Sequence, residues 1–227
     1  MRAQYISVLL LSGLAAASPL KARQAPATTE AEPASESGAA AGSSSSQGKG
    51  GGGGDMAKAI LAIMPSSNTC DGAELPDDCR TAEQAAPFVA EACADFSDGE
   101  TAAMLALMGL ESVDFKFKHN RSNGNAGQGT ANMMSPDYVK KYATSIFGAD
   151  KVEGKSPAEV LDMVTPDEYN FGSAGWFLTT ECDAGVREGL KTGTDAAWDA
   201  YMACVRVDGS DSRRMEYWNR AKAAFGL

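Results

Sequence analysis

The stretch Ser97-Asp98-Gly99-Glu100-Thr101-Ala102-Ala103-Met104-Leu105-Ala106-Leu107-Met108-Gly109-Leu110-Glu111-Ser112 decides the fold. Ser97 with Glu100 three residues later is a capping box, in which each residue satisfies a free backbone N–H of the other at a helix start. From Ala102 to Leu110 the following run is apolar on nearly every face. A helix without a polar face belongs in the centre of a core. This one runs directly into Glu111. A carboxylate there sits at the negative end of the helix dipole and beside apolar walls, and both effects disfavour its ionised form. A carboxylic acid that keeps its proton near neutral pH is what protonation of a glycosidic oxygen requires.

Outward from this helix, further start signals recur. Ser156-Pro157-Ala158-Glu159 and Thr165-Pro166-Asp167-Glu168 each join a capping residue, a proline at the first helical position and a glutamate at the third. Other helices are expected over Arg80–Ala94, Pro136–Phe147, Ser173–Lys191, Asp195–Val205 and Ser212–Phe225. The best strand pattern is Val113–Lys118, where valine and phenylalanines alternate with charges, and it is too short to found a sheet. The class is therefore mainly α.

Between Glu111 and Pro136 lie a polar loop, His119 to Gly127, and the run Gly127-Gln128-Gly129-Thr130-Ala131-Asn132-Met133-Met134-Ser135-Pro136. Glycines allow tight left-handed backbone and close approach of a ligand. The amides of Gln128 and Asn132 offer paired donors and acceptors for sugar hydroxyl and N-acetyl groups. Glu111-Ser112, this glycine, amide and methionine stretch, the aromatic helix after Pro136 and Ala200-Tyr201 together resemble the soluble lytic transglycosylase and goose-type lysozyme group. The resemblance covers roughly Glu100 to Cys204. It implies a lysozyme-like single domain with Glu111 as the catalytic acid and base, and with Ser112, Gln128, Asn132, Met133 and Tyr201 against the substrate. Asn132 stands where that group has glutamine, and Met202 where it has asparagine. The domain is also similar to a set of fungal secreted proteins that share the Gly127-Gln128-Gly129-Thr130 core. No carboxylate nucleophile is obligatory in that chemistry, and no second acid is assigned among Asp114, Asp137, Glu181 and Asp183.

Toward the amino terminus the composition changes. Arg2, the apolar run Ile6–Leu14 and Ala15-Ala16-Ala17 form a signal-peptide pattern, too short to span a bilayer. Lys21-Ala22-Arg23 offers a second processing site. From Gln24 to Gly54 the chain is Ala, Pro, Thr, Glu, Ser and Gly, which cannot bury enough apolar area to offset chain entropy, so residues 18–54 read as propeptide and linker and 55–227 as one domain. The formal charge is −10, and −13 once Arg2, Lys21 and Arg23 are removed, with 17 basic against 30 acidic residues. That balance argues against nucleic acid and anionic membranes as partners and leans toward a neutral or cationic polymer such as chitosan.

Five cysteines in a secreted chain imply two disulfides and one thiol. The preferred pairs among about fifteen possibilities are Cys70–Cys79 and Cys182–Cys204, with Cys93 a buried small hydrophobe. Their spacing matches no zinc signature, and a single histidine in the chain makes a metal site unexpected. No cofactor is implied. The expectation is a secreted monomer that cleaves a β-1,4-linked amino-sugar polymer (peptidoglycan, chitin or chitosan), or a non-catalytic glycan-binding or effector protein on the same fold. Blander roles compete at each position: Gln128 and Asn132 as loop amides, Met133 and Met134 as packing, Tyr201, Trp176 and Phe177 as core, His119 as a solvated loop residue. Asn120-Arg121-Ser122 is a glycosylation sequon, which places its loop at the surface of a secreted protein.

Overall fold

Where the sequence starts its apolar helix, the structure does too. In the computed structural model, which describes residues 53–121 and 125–227, Ser97 and Glu100 form a reciprocal capping box and the helix runs Asp98–Glu111. The signal-peptide assignment, the linker up to residue 52, and Ser122 of the sequon lie outside the described residues. Every side of this helix is covered, since all residues from Gly99 to Gly109 are buried. The described part is mainly helical. In chain order the helices are α1 (Gly53–Ile63), α2 (Ala82–Ala92), α3 (Asp98–Glu111), α4 (Pro136–Phe147), α5 (Ala149–Val152), α6 (Pro157–Val164), α7 (Asp167–Asn170), α8 (Ser173–Thr180), α9 (Ala184–Leu190), α10 (Asp195–Cys204) and α11 (Ser212–Phe225). Helix α1 begins inside the glycine run assigned to linker, and its Ile60 and Ile63 are fully buried.

Helix α11 lies along α3, and α1 packs on both α2 and α11. Close approach of α3 and α11 depends on Gly109, where a Cβ would come within 2.7 Å of the Tyr217 ring. The core has two parts. The larger surrounds α3 and takes Ile60, Ile63, Val89, Trp198, Tyr201, Met202 and Trp218 from the helices around it. Trp198 and Trp218 stack with ring centroids 5.2 Å apart. Each indole N–H is satisfied, by Gly209 O at 3.1 Å and Asp195 Oδ1 at 2.8 Å. Buried donors of this kind need such partners. The smaller core gathers Val139 and Tyr142 of α4, Val160, Leu161 and Val164 of α6, and Phe177 of α8.

Three local expectations are corrected. The helix foreseen over Ser173–Lys191 is two helices, because Asp183 is extended (φ −63°, ψ 147°) as the N-cap of α9 and Cys182 is tied by a disulfide to Cys204. The Thr165 capping box does not form. Thr165 already closes α6 in helical conformation and cannot also adopt the extended geometry of a cap, so its hydroxyl donates to Asp162 O and Pro166 takes the N-cap position of α7. Val113–Lys118 is no strand: Val113, Asp114 and Phe115 have φ of 54°, 56° and 62°. Among the described residues the only β pairing is a pair of isolated bridges, His119 with Gly129 and Gly129 with Met134. The cysteines pair Cys70–Cys79 and Cys182–Cys204, leaving Cys93 as a buried thiol. No helix among the described residues is long and apolar enough to cross a membrane.

Candidate functional site

Helix α3 delivers Glu111 at its last residue, and Ser112 then fixes the chain. The Ser112 hydroxyl donates to Met108 O at 2.6 Å and accepts from the Phe115 N–H at 2.9 Å, while the residue is fully buried. Ser112 therefore shapes the exit turn and does not reach a ligand as expected. The turn itself is costly, since each L-residue in left-handed conformation loses about 1–2 kcal/mol. Asp114 holds it in place: its carboxylate accepts from the Ser66 N–H at 3.0 Å, the Ser66 hydroxyl at 2.6 Å and the Tyr217 hydroxyl. Phe115 buries its ring against Phe171, with centroids 5.0 Å apart.

The chain then enters the bridged segment. Two glycines are required there. A Cβ on Gly129 would meet Lys118 O and the Leu161 side chain at 2.6 Å, and one on Gly127, at φ 83°, would meet Pro157 at 2.5 Å. Gln128 accepts from Asn120 Nδ2 at 2.7 Å and donates to Met133 O at 3.1 Å, so both ends of its amide clamp the loop. Asn132 is buried, and its Oδ1 accepts from Thr130 Oγ1 at 2.9 Å and Ser173 Oγ at 2.7 Å. That pair of bonds ties the segment to the first residue of α8.

Two hollows open at this place. The first, about 320 Å³, is walled by Leu107, Met134, Tyr138, Phe177, Val205 and Val207, and includes Asn132 and Arg206. Arg206 is exposed and has left-handed backbone (φ 63°). The second, about 280 Å³, takes in Val113, Phe117, His119 and Arg121. Glu111, Gln128 and Met133 line both hollows, so the two meet at the end of α3. Of the residues singled out from sequence, Glu111, Gln128, Asn132 and Met133 converge here. Tyr201 does not: it is fully buried in the larger core, lines neither hollow, and burial pushes its phenol well above the ordinary tyrosine range. Trp176 and Phe177 pack in the smaller core.

Charges at the site come from distant parts of the chain. Glu111 Oε1 accepts from Arg214 Nη2 of α11 at 2.6 Å, with the two side chains 22% and 13% exposed. The apolar walls foreseen around Glu111 are thus joined by a guanidinium, while Arg214 Nη1 is buried without a partner. His119 is partly exposed, and its Nδ1 lies 2.7 Å from Asp78 Oδ2, an oxygen that accepts from the Lys118 N–H at 3.1 Å. Arg121 is bonded to Glu74 and lies over the Phe117 ring. Arg214 and Asp78 escaped the sequence reading because they lie 103 and 41 positions from the groups they bind, and no local pattern links them. Among the described residues no group of three or more His, Cys, Asp or Glu side chains is placed to hold a metal ion.

Comparison with known proteins gives one partial likeness. Over 158 residues the chain is 46% identical to a bifunctional dioxygenase–epoxy alcohol synthase of Fusarium oxysporum (strain Fo5176). No family model and no solved structure matches. The aligned stretch covers 63% of this chain and 12% of that protein, so the likeness concerns a small part of the larger molecule.

Proposed function

We propose that this is a secreted, monomeric, lysozyme-like protein that cleaves a β-1,4-linked amino-sugar polymer, with Glu111 as general acid and base. The observation that carries it is the position of Glu111: the one carboxylate lining either hollow stands where the two meet, so a polymer lying through both would present a linkage to it. Arg214 takes only Oε1, which leaves Oε2 to carry a proton toward the groove. A protonated carboxyl can accept a guanidinium hydrogen bond on its carbonyl oxygen at the same time. The chain order of core helix, Glu-Ser pair, glycine segment and proline-led helix supports the lysozyme-like reading. Two disulfides fit an oxidising compartment, and with the amino-terminal signal pattern they support an extracellular site of action. The exposed groups of the groove change the substrate preference drawn from net charge. Arg121 is paired with Glu74 and Glu111 with Arg214, which leaves the charge of Arg206 to favour peptidoglycan or chitin over cationic chitosan. Neither activity in the name of the Fusarium protein is carried to this chain, which aligns with 12% of it.

A second reading, a glycan-binding protein without catalysis, is favoured by the Glu111–Arg214 pair itself. The guanidinium already occupies one oxygen of the carboxylate that would have to act on the substrate. Incubating the protein and Glu111→Gln with peptidoglycan, chitin and chitosan oligomers separates the two. Fragments from the wild type alone support the enzyme. Equal fragment release by the variant sinks it, and retention of oligomers by both proteins without fragments establishes the binder.

A further inference from the structure

The geometry points to His119 as the second proton-transfer group of this site: oriented by Asp78, it activates the water that attacks the anomeric carbon while Glu111 protonates the leaving oxygen. This rests on the glycan-cleaving reading and extends it from one catalytic group to two. His119 lines the same hollow as Glu111, about 280 Å³, which holds a sugar edge and a water of roughly 30 Å³. Its ring has a carboxylate beside it. Nδ1 lies 2.7 Å from Asp78 Oδ2. Asp78 in turn is held by the Lys118 N–H and by its neighbour Cys79, which is in disulfide linkage with Cys70. The backbone of His119 is bridged to Gly129.

A hydrogen bond at one imidazole nitrogen selects the tautomer. With the proton on Nδ1 directed at Asp78, neutral His119 carries its lone pair on Nε2, and the carboxylate steadies the imidazolium that forms once that lone pair takes a proton. This orienting logic recurs wherever a carboxylate backs a histidine base. Asp78 is a positioning residue here and His119 the catalytic one.

The step balances without a redox partner. Glu111 gives its proton to the glycosidic oxygen, the bond from the anomeric carbon to that oxygen breaks, and its electron pair stays with the leaving sugar. Water forms the new bond to the anomeric carbon and passes one proton to His119 Nε2. The imidazolium then releases that proton to solvent, from which Glu111 is recharged. The products are two sugar chains, the new end being a reducing end with inverted configuration and no anhydro ring. An acid and a base on separate groups with a water between them is the arrangement of inverting hydrolysis.

The test uses the full-length chain and a chitin or peptidoglycan oligomer as the probe. Asparagine at 119 keeps an N–H within reach of Asp78 and removes Nε2. His119→Asn should lower kcat by about 10²–10⁴-fold with KM within about threefold. Azide, a nucleophile that needs no deprotonation, should restore turnover in that variant and not in Glu111→Gln. Because His119 is the single histidine of the chain, one imidazole ¹⁵N pattern reports it, provided that no histidine tag is added. The neutral ring should show the Nδ1–H tautomer, and Asp78→Asn should lose that preference together with part of kcat. Wild-type cleavage with His119→Asn within threefold in kcat, or an Nε2–H tautomer in the wild type, overturns the base assignment and leaves Glu111 standing. Absence of any fragment from the wild type overturns the glycan-cleaving reading, and the base assignment falls with it.

Discussion

Gly109→Ala is expected to destabilise the protein although alanine is the better helix former, and the sign should reverse when Tyr217 is removed. In an unobstructed helix the change gains about 1 kcal/mol. Here the added methyl would meet Tyr217 Cδ1 and Cε1 at 2.7 Å and Met64 Cγ at 3.1 Å. The methionine can turn aside. The tyrosine cannot, because its hydroxyl is bonded to Asp114 and the Arg220 guanidinium lies 4.3 Å from its ring centroid. Overpacking of this kind costs about 1–3 kcal/mol. Pulling the phenol from a charged acceptor adds about 1.5–3 kcal/mol. The net loss is about 2–4 kcal/mol, a fall in Tm of roughly 5–15 °C for a domain of this size. In a Tyr217→Ala background only Met64 remains in the way, and Gly109→Ala should then raise Tm by a few degrees. Thermal melting of the four proteins of this cycle is the assay. A Gly109→Ala variant that melts at or above wild type with Tyr217 present, or an equal loss in both backgrounds, refutes the packing account.

Glu100 is almost fully buried, and burial pushes its carboxyl up. Bonds from the Ser97 N–H, Arg187 and the Ser97 hydroxyl outweigh that and hold it below the usual range. A lowered folded-state value stabilises above the unfolded carboxyl's titration, near pH 4.3, and is lost as pH falls through the folded value. Glu100→Gln should therefore cost about 1–3 kcal/mol at pH 7 and progressively less toward pH 3, read by denaturant melts at both; a constant difference contradicts the linkage. Burial pushes the Cys93 thiol up to about 12, with Thr101 offsetting part of it. A thiol reagent at pH 8 should label it only in denaturant, and stoichiometric labelling of the folded protein would contradict its placement. Replacing both Cys182 and Cys204 by serine opens a loop of 22 residues and should lower stability by about 3 kcal/mol in urea melts.

How much of this was legible in sequence follows from the range of the interactions. The boxes at Ser97 and Ser156 form as read because both partners lie within one turn. The apolar run after Ser97 announced a central helix because a fully apolar surface has no alternative to burial. Alternation over Val113–Lys118 misled, since it registers only the side chains and not Ser66 and Tyr217, whose hold on Asp114 draws the backbone into a left-handed turn. At the candidate site the glycines and amides were visible as types, but their division of labour was not. Gln128 and Asn132 face the groove while bonding mainly to their own loop, and Ser112 and Tyr201 point inward. Position on a helix gave Glu111 its setting; only the fold could bring Arg214 to it.

The two separate cores have a mechanical consequence. The first hollow is walled by Leu107 of one core and by Met134 and Phe177 of the other, so it opens where the two clusters meet. Cys182 packs against both clusters and is bolted to Cys204. That bond joins the turn before α9 to the end of α10, so a single covalent link ties the two clusters together beside the groove.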